Sequence, residues 1–450
     1  MTTALVFIAF IVTIGIMIAL ISKYKVHPAM SILLAVIFLG CALSFVPGIA
    51  PFEIVKTVNT GFANTIRDIA LVILLGCVLG KVMEETGAAV SITKTILRLL
   101  GPKKAIWAIA FSAGILGIPI FADSVVILLI PIVSVMAAST GASMMAYGGA
   151  LYCGALVTAS LVPPTPGPVA AAALLNLPLG QAVLWGLVVS VPSIIAGVIY
   201  LKTLNKYPVE PKEEYIHAAN RAEGKPLPTT VDSIMPILIP IILIMLNTLV
   251  QTQLDKTSSI VKIASFLGDP LPALLIGCLY SMKLVSNTRK KWLEKEVVNN
   301  WVESACRDAA MPVFVTGLGG ALALFIRNAD IANQIANAVA SASLPGIMLP
   351  IIIAAIIHVI TGSNALGVMT AAALVEPMLP TIDVSPLAAF LACGTGALMF
   401  KHSNSSGFWV TTAMSNMSLV QGLRSVGGFS TVCGFTGAAV TIIFHYMGII

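Results

Sequence analysis

Long apolar runs, broken at a few polar or proline-rich points, set the pattern of this chain. Residues 5–21, 30–46 and 234–250 are each long enough to cross a hydrocarbon core of roughly 30 Å. They lack the in–out alternation of a membrane β-barrel, so the pattern predicts spanning helices. The first half reads as spans near 5–21, 29–46 and 66–84, an interrupted apolar pair near 105–138, a broken span near 145–177 and a last span near 181–201. The second half repeats the series: spans near 234–250, 261–281 and 308–326, a pair near 347–380, a broken span near 386–418 and a last span near 427–448. No basic stretch precedes residues 5–21 and no small-residue cleavage site follows, so they read as the first span and not as a signal peptide.

A shift of 240 positions superimposes the two broken spans. Leu151 falls on Leu391, Cys153 on Cys393 and Gly154 on Gly394; farther along, Gly167 matches Gly407, Asn176 matches Asn416 and Gln181 matches Gln421. Reading each interrupted pair as a re-entrant hairpin leaves about five crossings per half, an odd number that turns the second half upside down. The basic residues around 94–104 precede the first hairpin, whereas residues 328–344 before the second hold one acid and no base. The expected fold is therefore an all-α polytopic membrane protein of two inverted repeats, residues 1–201 and 233–450. Each holds about five spanning helices, one of them broken, and one re-entrant hairpin. Residues 202–232, rich in charge and proline, read as the cytoplasmic linker between them. Ahead of each third span, an apolar stripe (Phe52, Val55, Val58, Phe62, Ile66; then Trp292, Val297, Val298, Trp301, Val302) predicts a helix lying in the membrane interface.

Composition narrows the class. Hydrophobic residues make up 58% and charged residues 10% of the chain, against about 25% charged in soluble proteins, which excludes a water-exposed globule. The net charge of +6 implies no nucleic acid, because Lys and Arg cluster in loops: Lys23 and Lys25, then 94–104, 202–225 and 283–295. The positive-inside rule makes those loops cytoplasmic and puts both termini outside, in a multi-pass protein of the cytoplasmic (inner) membrane. The 7 Cys show no metal spacing and no disulfide framework, so neither a metal nor a cofactor is expected. No His-Glu-x-x-His or Gly-x-Ser-x-Gly motif occurs, which argues against an enzyme.

Four interruptions carry the chemistry: residues 117–124, 163–168, 362–364 and 403–407. Each opens a new helical segment. Asp123 or Ser124 can cap the first, Pro168 suits a first turn, and Ser363 or Asn364 and Ser405 or Ser406 can cap the others. Helix N-termini attract anions, so four of them converging at mid-membrane predict a carboxylate site. The carboxylate would meet Thr165 and Gly167 on one side and Ser405 and Gly407 on the other. Hydroxyls of the solute would meet Ser363, Asn364, Ser403 and Asn404. Asp123 is a candidate proton carrier or a helix cap. Lys401 could pair with the carboxylate, replace a coupling cation by fixed charge, or snorkel to water. His402 could titrate with transport or hold a carbonyl of a broken helix. Glu376 is a weaker candidate near an aqueous mouth, and His358 reads as packed in the second hairpin.

The runs Gly117-Ile118-Pro119-Ile120-Phe121-Ala122-Asp123, Pro163-Pro164-Thr165-Pro166-Gly167-Pro168 and Phe266-Leu267-Gly268-Asp269-Pro270, with His402, Asn404 and Gly407-Phe408-Trp409, resemble the gluconate permease family of the ion-transporter superfamily. The resemblance covers nearly the whole chain. It implies a proton-coupled symporter for sugar acids or related hydroxy or amino acids, working as a homodimer that moves its substrate elevator-fashion. Two departures stand out. Thr165 replaces the usual His of the proline motif, and Lys401-His402-Ser403-Asn404-Ser405 replaces the usual Ser-His-Val-Asn-Asp, losing an acid and gaining a lysine.

Proton-driven uptake of a small organic anion is the expected function. The alternatives are a cation/proton antiporter, which needs clustered buried acids where this chain offers Asp123 and Glu376, and a carboxylate or amino-acid carrier coupled to another ion.

Overall fold

The computed structural model describes residues 2–46, 53–222, 226–253, 258–285, 294–328, 345–403 and 405–450. Among these the secondary structure is helical, with no strand. Seven helices are long and apolar enough to cross a membrane, and up to nine if each of two bent pairs counts as one span. Four shorter apolar helices accompany them.

The helices follow the predicted series closely. In the first half, α1 (Thr2–Ser22), α2 (Pro28–Ser44) and α3 (Ile54–Glu85) are followed by α4 (Ala88–Leu100). The hairpin α5 (Ala105–Leu116) and α6 (Ala122–Thr140), the split helix α7 (Met144–Leu161) and α8 (Pro166–Leu174), and α9 (Leu179–Thr203) complete it. Between α9 and the next long helix lies α10 (Glu213–Ala222), packed against α6. The second half begins with α11 (Thr230–Gln253), α12 (Ser259–Leu267), α13 (Pro270–Val285) and α14 (Val302–Asn328). A second hairpin, α15 (Met348–Thr361) and α16 (Asn364–Val375), precedes the split helix α17 (Pro386–Gly396) and α18 (Ser406–Met414), and α19 (Gly428–Tyr446) ends the series.

Three expectations change. The stripe ahead of the third span is not a separate interfacial helix: nothing breaks the chain between Ile54 and Glu85, so one helix of 32 residues, about 48 Å long, contains both. Its face packs on α14, with Phe62 against Gly317 and its ring 6.0 Å from that of Phe314. Gly61 lets α3 approach the Ala321 backbone, as small residues do between membrane helices. The matching stripe of the second half runs directly into α14 through a π-helical turn, with Val297 and Trp301 buried. Phe52 and Trp292 lie outside the described residues, as do 329–344 ahead of the second hairpin and the basic residues Lys225, Arg289, Lys290 and Lys291. Second, the span near 261–281 is bent by 60°. Pro270 brings no N–H to the helix start, and Asp269 Oδ1 accepts from Leu271 N at 3.0 Å, so α13 begins anew there. Third, the basic stretch 94–104 is largely helical: α4 meets the following helix at 109°, turned by Gly101 at φ 71°.

The anchors of the 240-residue shift have a structural meaning. Asn176 and Asn416 end α8 and α18 in the left-handed conformation, at φ 54° and 56°. Leu177 N donates to Ala172 O and Met417 N to Thr412 O, each at 2.8–2.9 Å, so both ends are capped alike. Each split helix also crosses to the opposite half: α8 packs on α16, and α18 on α6.

Candidate functional site

The four interruptions meet on one cavity of about 480 Å³. Phe121–Ser124 comes from the first hairpin tip and Thr165–Gly167 from the first split helix. Thr361–Ala365 comes from the second hairpin tip, and Lys401, Ser405 and Ser406 from the second split helix. The α7 face adds Tyr152 and Ser160, and α14 adds Asp308, Met311 and Pro312. The starts of α6, α8, α16 and α18 therefore face one space, where their unbonded N–H groups favour negative charge.

Local sequence explains each tip. Thr165 precedes Pro166, whose fixed φ and missing N–H suit a first helical position. Pro168 is the third residue of that first turn, so Gly167 carries the only N–H among the first three residues of α8. The Thr165 hydroxyl is buried and donates to Val162 O at 2.8 Å, with Ala159 O at 3.1 Å, closing the end of α7. Gly167 makes a close approach: a Cβ there would lie 3.1 Å from Ala365 Cα in the opposite hairpin. Ser363 caps α16, accepting from Leu366 N at 3.3 Å. Ser405 stands at the N-cap of α18 without a side-chain cap bond, and Ser403 is exposed, its carbonyl accepting from Trp409 Nε1 at 2.7 Å. Asn404 lies outside the described residues.

Two charged side chains dominate the cavity. Lys401 is 3% exposed, so it does not snorkel to water. Its Nζ donates to Asn364 Oδ1 and lies 5.8 Å from the centre of the Tyr152 ring, within cation–π range. The Asn364 amide donates in turn to Ala397 O at 2.7 Å and Ser160 Oγ at 3.3 Å. Asn364 is thus filled by protein partners and fixes the ammonium. Asp123 is not the N-cap of α6: Phe121 holds that position, and Asp123 is the second residue of the first turn, its carboxylate reaching Ser406 and Tyr152 across the cavity. Ser406 Oγ donates to Asp123 Oδ2 at 2.7 Å and Tyr152 Oη to Oδ1 at 3.4 Å. Gly407 lies directly beneath, where a Cβ would collide with Tyr152 Oη and Asp123 Oδ1.

His402 does not line the cavity. Its ring Nε2 lies 3.0 Å from Val359 O, a carbonyl near the end of α15. His358 is buried in the second hairpin. Glu376 lines a different cavity of about 610 Å³, with Arg67, Asn64 and Asn176 at the far end of α8. Tyr152, Ser160, Ser406 and Asp308 belong to the site without having been singled out as binding residues. Tyr152 shares the largely apolar α7 with Tyr147, Thr158 and Ser160, so its hydroxyl alone did not single it out. Among the described residues no cluster of His, Cys, Asp and Glu could hold a metal ion.

A many-spanned helical membrane protein with broken helices around a charged central cavity is a carrier, and the comparisons name its kind. The chain belongs to the GntP family permeases, whose family profile matches residues 5–447. It is 30% identical to an uncharacterized permease of Haemophilus influenzae, across 97% of this chain and 91% of that one. It is 28% identical to a gluconate permease of Pseudomonas aeruginosa (95% and 94% of the chains) and 26% identical to a high-affinity gluconate transporter of Escherichia coli (95% and 97%). The fold matches the Alcanivorax borkumensis YdaH transporter at a TM-score of 0.66 and 14% identity, over 94% of this chain and 99% of that one. The protein is a multi-pass membrane transporter and not an enzyme.

Proposed function

We propose that this permease takes up a small hydroxy or sugar acid such as gluconate, driven by protons, through the cavity where the four helix starts meet. The convergence of those starts on Lys401 is the observation that carries the reading. Lys401 offers the solute carboxylate its countercharge, assisted by the N–H of Gly167 and the starts of α16 and α18. Ser363, Ser403, Asn404 and Ser405 are the hydroxyl and amide groups for the rest of the molecule, while Thr165, Asn364, His402 and Gly407 hold the surrounding backbone and Lys401 in place. The relatives named for gluconate support the substrate class.

A charge balance supports proton coupling. Moving net charge through low dielectric is costly, so the mobile elements favour neutrality in each direction. Among the cavity-lining residues of the two hairpins and split helices, Lys401 and Asp123 balance each other when the site is empty; Asp308 stands outside these elements, on α14. Loaded with an anion, they balance only if Asp123 carries a proton. Symport of one proton per monovalent acid then keeps both journeys neutral. The inverted repeats at 1–201 and 233–450, the linker at 202–232, a homodimer moving elevator-fashion, and both termini outside the inner membrane complete the reading. The alike capping of α8 and α18 supports the repeats.

Uptake of a labelled acid panel into proteoliposomes, with and without an inward proton gradient, tests it. Uptake of gluconate or a related acid that needs the gradient is expected. Uptake indifferent to the gradient in the wild type removes the proton and leaves Lys401 as a fixed charge in place of a coupling ion.

A further inference from the structure

The two Arg-Asp pairs of the chain, Arg67-Asp68 and Arg307-Asp308, stand 240 residues apart, the same shift that superimposes the split helices. Ala70 with Ala310 and Gly80 with Gly320 extend the match along α3 and α14. Gly61 faces Ala321 and Ile66 faces Gly317, so these two helices run antiparallel. Arg67 therefore lies level with residues 316–317 of α14, and Asp308 lies about 12 Å farther along that helix.

Each pair stands at a cavity. Asp308 lines the central one, and Arg67 lines the cavity of about 610 Å³ at the far end of α8. The same helices bound both spaces. α8 begins with Gly167 in the central cavity and ends with Asn176 in the other; α16 begins with Asn364 in the first, and Glu376, just past its end, lies in the second. The pairs present opposite charges. On α14, Arg307 Nη2 donates to Glu303 Oε1 one turn back, and it is Asp308 that reaches a cavity. The shift puts Ala63 where Glu303 stands, and on α3 it is Arg67 that reaches a cavity. Asn176 differs from its repeat partner in the same sense. The Asn416 amide donates to Glu210 O at 3.1 Å, whereas Asn176 lines the cavity beside Asn64 and Arg67.

We propose that this cavity is a second binding site for the transported acid, in which Arg67 takes the carboxylate and Asn64, Asn176 and Glu376 meet the hydroxyls. A guanidinium matches a carboxylate with two parallel N–H bonds, which an amide or hydroxyl wall alone cannot supply. The volume falls within the roughly 300–1,000 Å³ of small-molecule sites. Asp308, at the matching place on α14, repels a carboxylate, so the second site belongs to the α3 copy of the pair and has no twin on α14. The inference rests on the solute being a hydroxy or sugar acid; it does not depend on Lys401 holding that acid in the central cavity.

The test counts sites on the full chain in detergent by equilibrium dialysis with radiolabelled gluconate. The wild type is expected to bind about two gluconates per chain. Arg67→Gln is expected to bind about one, with the affinity of the remaining site unchanged, which a general disturbance of the fold would not leave. Lys401→Met is also expected to keep about one, at the Arg67 cavity. Arg67→Lys keeps the charge without the planar fork and should weaken the second site roughly tenfold. If Arg67→Gln does not reach the membrane, Asn64→Asp sets a negative charge beside the carboxylate and should weaken the same site at least about tenfold. A single wild-type site that Lys401→Met abolishes and both Arg67→Gln and Asn64→Asp leave intact overturns the inference and keeps the central reading. A single site lost in Arg67→Gln and kept in Lys401→Met supports the inference and overturns the central reading. A wild type that binds no gluconate overturns both.

Discussion

Lys401 donates to the side-chain oxygen of Asn364, joining the break of the second split helix to the tip of the second hairpin. The bond puts a buried cation beside the N-terminus of α16 and within reach of the Tyr152 ring, which in turn contacts Asp123. A cation kept where four helix starts already favour negative charge is best matched by an anion that comes and goes.

Replacing Lys401 by Met is therefore expected to lower acid uptake roughly tenfold or more, since a buried countercharge is lost. Lys401→Arg is not expected to restore it, because the planar guanidinium cannot sit as a point charge beside Asn364. Initial rates in proteoliposomes, normalised to reconstituted protein, check both.

Asp123→Asn separates binding from coupling. A permanently neutral side chain at position 123 lets the loaded carrier cross but leaves Lys401 unbalanced on the empty return. Exchange of internal for external labelled acid is expected to persist while accumulation against a gradient disappears. Intact gradient-driven accumulation in this variant would remove Asp123 from coupling.

Gly407→Ala tests packing beneath the site. A methyl group there collides with Tyr152 and Asp123, and overpacking of this kind costs about 1–3 kcal/mol. A lower thermal midpoint in detergent together with lost uptake is expected. Tyr152→Phe keeps the ring beside Lys401 and removes only the hydroxyl, so its midpoint should stay near that of the wild type.

Gly61→Val addresses the α3–α14 pair. Its added carbons meet the Ala321 backbone at 2.5 Å and force the two helices apart. Destabilisation of about 1–3 kcal/mol is expected, read by fluorescence-detected melting. No change in melting would show that the pair tolerates separation.

Much of this was legible in the sequence because polar residues inside apolar runs cannot be ignored by a membrane fold. The breaks at 163–168 and 403–407 and the hairpin tip at Ser363 announce themselves that way, and so does the presence of Lys401, though not its burial. The matched Asn176 and Asn416 were visible as a repeat, and the left-handed turn they share explains why asparagine stands at both. Other features were not legible. A helical apolar stripe such as Val58–Phe62–Ile66 looks the same against lipid headgroups as against α14, because periodicity gives a face and not its partner. Asn364 could be placed at a tip, but only the three-dimensional arrangement shows its amide filled by Lys401, Ala397 and Ser160. Asp308 read as the start of a span, and its position on the cavity wall depends on how α14 crosses the hairpins.

The most direct measurement is a structure of the wild-type carrier in lipid nanodiscs with a saturating concentration of the acid it takes up best. Density for the carboxylate is expected within hydrogen-bonding reach, about 3 Å, of Lys401 Nζ and beside the starts of α8 and α16. Density instead in the cavity of Arg67 and Glu376 at the far end of α8, with Lys401 still bound only to Asn364, would contradict the account.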